Sequence, residues 1–159
     1  YIALLSSLEH RGAAADQLLS DALGNKGALY SGMGKYEKAL PDLDLAIKLN
    51  PQNLTNYLNR ASAYMQLQEY DKAINDFNTG HQYHPDDPDI LNNRGVCYLR
   101  LGDAKTALED FSKSIAINSS NPSYYINRAF AYQKLGRVAE ARKDILAAEK
   151  MGAVIDPGL

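Results

Sequence analysis

The alanines Ala39, Ala73, Ala107 and Ala141 stand 34 residues apart without slippage. A fixed period of this length marks an array of stacked units, none of which can bury its apolar face alone. Cut in phase with the alanines, the chain divides into repeats 20–53, 54–87, 88–121 and 122–155. Other columns keep the same step. Asn25, Asn59, Asn93 and Asn127 form one, and Lys26, Arg60, Arg94 and Arg128 the next. Small residues follow (Gly27, Ala61, Gly95, Ala129), then Tyr30, Tyr64, Tyr98 and Tyr132. Three residues beyond each alanine stands an acid: Asp42, Asp76, Asp110, Asp144. Such arrays grip other proteins and are rarely sites of chemistry.

Each repeat reads as two helices. In the second, Tyr57, Ala61 and Tyr64 stripe a first helix, Leu67–Tyr70 turn, and Ala73, Ile74 and Phe77 stripe a second. Asp87-Pro88 and Asn121-Pro122 put a capping side chain before a proline in the first helical turn, where its missing N–H costs nothing. Pro51 and Pro85 stop the second helices. Pro41 is expected in or near the first turn of its helix. In an antiparallel pair, positions that sum to a constant face each other. The eighth (Gly/Ala) and twentieth (Ala) positions are therefore expected to meet, small against small, with Tyr57 facing Phe77 and Tyr64 facing Tyr70.

These columns resemble the tetratricopeptide repeat: a bulky residue, then small, Tyr, Gly in the turn, Ala, Phe, a small residue and Pro. The second repeat carries it as Tyr57, Ala61, Tyr64, Tyr70, Ala73, Phe77 and Pro85. Departures are modest. Gly80 replaces the usual Ala or Ser, Ser119 and Ala153 replace proline, and His81 stands where Ile47 and Ile115 are apolar, so the end of that helix is expected to be looser or in polar contact. The resemblance implies an all-α, right-handed α-solenoid of antiparallel helix pairs. Its first helices would line a concave groove for an extended or helical peptide. It brings no catalytic residues, so the chain is expected not to be an enzyme in its own right.

Outside the repeats lie residues 1–19 and 156–159. Ile2, Leu5 and Leu8 have helical spacing but miss the repeat register, and Gly12 with Ala13–Ala15 separates them from the array. They are expected to form a capping helix over the open end of the first repeat, or a degenerate earlier repeat. A start at Tyr1 and a stop soon after the last repeat point to a piece of a longer chain. The tail from Val154 either folds back or continues.

The net charge of −2 provides no basic surplus for a nucleic-acid backbone. No apolar run approaches the ~18–20 residues of a membrane span. A single cysteine, Cys97, excludes an internal disulfide and reads as a small buried apolar residue. His81 and His84 near Asp86, Asp87 and Asp89 do not make a metal site, because Pro85 breaks the helix and the acids have capping work. No metal or cofactor is expected, and no nucleophile, base and orienter fall into a recognisable arrangement.

The asparagine column is the sharpest candidate site. Asn is a poor mid-helix residue, and a side-chain amide can pair with a peptide backbone whatever its sequence. Asparagine ladders in some tetratricopeptide superhelices hold extended peptides in this way. The competing reading is that the column stabilises neighbouring helices. Flanking positions drift between repeats (Gly24, Leu58, Asn92, Ile126; Ala28, Ser62, Val96, Phe130), as expected of residues that select a partner. Leu58, Met65, Val96, Leu99, Ile126 and Phe130 make the groove apolar, with Arg100 and Lys134 towards one end. A partner with apolar side chains and an acidic group would suit it.

The Arg/Lys and Asp columns are expected to form an ion pair within each repeat, worth roughly 0–1 kcal/mol if exposed. The alternative sends the arginines into the groove for an acidic ligand. The family's carboxylate clamp for chaperone C-termini is disfavoured. Its positions hold Gly24, Ala28, Asn59, Asp89 and Asn93 in one register and Leu58, Ser62, Asn93, Ser123 and Asn127 in the next. The partner is thus a protein or peptide of unspecified identity. Recruitment for an enzyme outside this chain and self-association through exposed ends are the alternatives.

Overall fold

A computed structural model describes the backbone of residues 2–155 and the side chains of residues 12–155. The eight helices are α1 (Ile2–Gly32), α2 (Tyr36–Leu49), α3 (Leu54–Gln66), α4 (Tyr70–Tyr83), α5 (Pro88–Arg100), α6 (Ala104–Ile117), α7 (Pro122–Lys134) and α8 (Val138–Lys150). They fall into two compact units, Tyr1–Thr79 and Gly80–Leu159. In the first, α2 packs on α1 and α3, and α1 also touches α3. In the second, α6 packs on α5 and α7, α8 packs on α7, and α5 touches α7.

The turns inside the repeats are built alike. The residues after the first helices, Gly34, Gln68, Gly102 and Gly136, all have positive φ, between 62° and 88°. The next N–H then reaches back to the tyrosine-column carbonyl: Lys35 to Tyr30, Glu69 to Tyr64, Asp103 to Tyr98 and Arg137 to Tyr132, each at 2.9 Å. This closes the helix end with a Schellman-type bond. Gln68 is the only non-glycine with positive φ among the described residues. Asn53, Asp87 and Asn121 cap α3, α5 and α7 through their side chains, with Pro88 and Pro122 opening the last two of these.

All four column alanines are buried, with Leu43, Phe77 and Phe111 beside them in sequence order. The eighth position has a bulky neighbour that the small-against-small expectation did not include. A Cβ on Gly27 would lie 2.6 Å from Leu43, and one on Gly95 would lie 2.7 Å from Phe111. The eighth position therefore meets the bulky twenty-fourth residue, one helical turn beyond the alanine. Small residues there admit a large side chain from the facing helix.

Three further expectations change. α1 runs through Gly12 and Ala13–Ala15 without a break, so the N-terminal segment continues the first helix of repeat 20–53. The side chains of Ile2, Leu5 and Leu8 lie outside the described residues, as do residues 156–159 of the tail. Pro41 sits in the second turn of α2, where no N–H is left to meet the Glu37 carbonyl. α4 stays helical through Gly80 and His81 to Tyr83, and the His81 Nδ1 is enclosed without a hydrogen-bond partner. No described helix is long and apolar enough to cross a membrane.

Candidate functional site

The basic and acidic columns pair inside every repeat. Arg60 donates from Nε and Nη2 to both oxygens of Asp76, at 2.9 and 2.7 Å. Arg94 does the same to Asp110 (2.8 and 2.8 Å) and Arg128 to Asp144 (2.7 and 2.8 Å). Lys26 makes one contact with Asp42, at 2.9 Å. The aspartates of the arginine pairs are buried, so these are interior two-pronged bonds and not surface pairs. Hydrogen bonding to these carboxylates holds the Arg60, Arg94 and Arg128 guanidiniums above their ordinary range. Arg60 also reaches back to Asp44 on α2 (2.7 Å), and Arg128 to Ser112 on α6 (3.5 Å). The column thus ties the second repeat to the first and the fourth to the third. Its charge is spent on packing.

Between the first helices of the first unit lies a polar cleft of about 310 Å³ lined by Asp21, Gly24, Asn25, Asn53, Thr55, Asn56 and Asn59. Its floor is a hydrogen-bonded chain. Buried Asn56 donates to the Ser20 hydroxyl (3.1 Å), which donates to the Ala46 carbonyl (2.9 Å), while Asn53 donates to Asp21 (3.0 Å). Gly24 is required here, because a Cβ would fall 2.1 Å from Asn56 Oδ1. Its drift from the other repeats follows from what α3 inserts.

In the second unit, α5 and α7 enclose a cleft of about 400 Å³ lined by Val96, Leu99, Arg100, Asn127, Phe130, Gln133 and Lys134. Asn127 Nδ2 donates to Asn92 Oδ1 at 2.8 Å, and Asn92 Nδ2 points to Asn93 Oδ1 at 3.4 Å. A second bond between these helices joins the buried Tyr124 hydroxyl to Asp89, at 2.5 Å. Burial, aided by that bond, pushes the Tyr124 phenol up to about 12. Cys97 is buried, and its thiol is likewise pushed up to about 12 by loss of solvent, which leaves it unreactive.

Repeat patterns described as "Tetratricopeptide repeat" match residues 20–53 and 86–153, and one described as "TPR repeat" matches 61–102. The chain belongs to the tetratricopeptide-repeat family. Its all-helical fold is the family's α-solenoid of antiparallel helix pairs. It is similar to the solved structure "MamA 41-end from Desulfovibrio magneticus RS-1", with TM-score 0.81 and 15% identity over 84% of this chain and 75% of that one. "Crystal structure of MamA" aligns with TM-score 0.79 and 22% identity over 84% and 78%. "Crystal structure of MamA protein" aligns with TM-score 0.79 and 22% identity over 90% and 82%. At these identities the likeness concerns the fold. No curated protein matches by sequence.

Within this tetratricopeptide array, the singled-out residues separate into groups. Val96, Leu99, Arg100, Asn127, Phe130 and Lys134 share the α5–α7 cleft. Asn25 and Asn59 share the polar cleft of the first unit. Asn93 lies beside Asn92, while Leu58, Met65 and Ile126 are half-buried outside both clefts. Sequence reasoning missed Asn56 and Gln133 as members of these surfaces, and it missed the bond of Asn92 to Asn127. A signal existed. The Asp89–Tyr124 and Asn92–Asn127 bonds each span 35 residues, one step off the repeat, so adjacent polar columns were the place to look.

Proposed function

We propose that the chain is a protein-interaction scaffold that holds a peptide segment along the inward faces of its first helices. The α5–α7 cleft supports this most directly, because six side chains singled out by their columns line one concavity. Apolar Val96, Leu99 and Phe130 supply desolvation, and Asn127 supplies backbone-directed polarity. Asn127 keeps acceptor capacity on Oδ1 while its amide is steadied by Asn92. Asn59 plays the corresponding part in the first unit.

A random peptide display library panned against the whole chain tests the reading. Recovered peptides are titrated against Asn59→Ala with Asn93→Ala and, separately, Phe130→Ala, with melting temperatures alongside. Binding lost at unchanged stability supports the groove. Unchanged binding in both variants refutes it.

Self-association is a second reading, favoured by α1. At the tenth repeat position Ala63, Cys97 and Ala131 are fully buried, whereas Leu29 is 66% exposed, with Leu18 and Met33 exposed on the same face of the helix. Light scattering over a concentration series decides this, since a strict monomer rules it out.

A further inference from the structure

Arg100 and Lys134 occupy the same repeat position in the last turns of α5 and α7, where the first two repeats have Gly32 and Gln66. Both line the α5–α7 cleft and also a second cleft of about 500 Å³ that opens beside it towards Asp103 and Lys105 at the start of α6. The two clefts join over Leu99, Arg100 and Lys134.

The two cations there are not tied up in the way the column arginines are. Arg60, Arg94 and Arg128 are each committed to a buried aspartate, and exposed Arg137 is paired with Glu140. Neither Arg100 nor Lys134 has a carboxylate partner among the described residues. Asp103, the acid nearest the second cleft, is occupied by the backbone and hydroxyl of Thr106, and these bonds hold its carboxyl below the usual range. Each cation favours its own helix end. Together, two like charges on adjacent helices repel one another, and an anion lying between them relieves that repulsion.

We propose that the joined clefts of the second unit hold a peptide segment in which a bulky apolar side chain is followed, within two residues, by a carboxylate. The apolar side chain enters between Val96, Leu99 and Phe130, and the carboxylate lies between Arg100 and Lys134. This rests on the groove reading above and adds the partner's chemistry to it. It differs from the family's carboxylate clamp, whose positions here are uncharged or acidic.

The probe is a short fluorescein-labelled glycine–serine peptide with a central Phe-Glu-Glu, compared by anisotropy with Phe-Gln-Gln and Gly-Glu-Glu versions. The Phe-Glu-Glu peptide is expected to bind about two- to fivefold tighter than Phe-Gln-Gln, the scale of a partly exposed charge contact, and at least about fivefold tighter than Gly-Glu-Glu, which lacks the apolar anchor. Arg100→Gln with Lys134→Gln removes the preference for Glu over Gln and leaves the circular dichroism spectrum unchanged. Equal binding of Phe-Glu-Glu and Phe-Gln-Gln, both weakened by Phe130→Ala, overturns the acidic half and leaves the groove reading standing. Equal binding of Phe-Glu-Glu and Gly-Glu-Glu means a general charge effect, which also overturns the proposal. If none of the three binds, the proposal fails, and the groove reading is judged by the unbiased peptide selection alone.

Discussion

Asn127 donates its side-chain amide to Asn92 across the α5–α7 contact at 2.8 Å, so a residue of the repeating column is held by one that breaks the pattern. The column is therefore neither purely a ligand ladder nor purely a packing device. Asn92, not Asn127, is the buried member. Replacing Asn92 with Ala leaves the Asn127 amide without its partner inside the protein. Urea unfolding should report a loss of about 0.5–1.5 kcal/mol. Asn127→Ala should cost more, because it strands the acceptor of buried Asn92, whereas the half-buried Asn127 amide left by the first variant can turn to water.

Arg128→Ala strands the Asp144 carboxylate, whose side chain is 6% exposed. Breaking a buried pair from one side costs about 3–5 kcal/mol. Lys26→Ala, which breaks an exposed single contact, should cost far less. Denaturant midpoints of the two variants check the order. Arg128→Met combined with Asp144→Leu should recover most of the loss, since apolar replacement of both partners removes the stranded charge.

Gln68→Gly should stabilise the chain. Gln68 holds φ at 62° in the turn where the other repeats place glycine. A left-handed conformation costs a side-chain-bearing residue roughly 1–2 kcal/mol, partly offset by the greater freedom of glycine in the unfolded chain. A rise in melting temperature is the expected readout.

Stability should fall on the alkaline side through Tyr124. Its folded pKa, about 12, lies above the ordinary 10, so the fold favours the neutral phenol. That contribution is fully present below pH 10 and is lost as pH rises towards 12. Tyr124→Phe should flatten this limb in urea midpoints taken across the range. Below it, the same variant should cost about 0.5–1.5 kcal/mol for the lost bond to Asp89.

Much of this protein was legible in one dimension because its governing contacts are local. The 34-residue alanine step is set by the repeat, the glycine turns and the Arg–Asp pairs 16 residues apart lie within single repeats, and the capping Asp87 and Asn121 act only on the residues that directly follow them. There, helix geometry alone dictates which side chains meet. Contacts between repeats were not legible in the same way. Asn56 beneath Gly24, Asn92 beside Asn127 and Tyr124 against Asp89 depend on how closely neighbouring first helices approach, which the packing of the helix between them sets. The same holds for depth. Repeat position places an aspartate opposite an arginine, but only the folded chain removes water from that pair, because burial comes from residues distant in sequence. Residue order alone sets the repeats and the pairing inside them. Tertiary packing decided which polar groups are buried and which cations, Arg100 and Lys134 among them, remain without a partner.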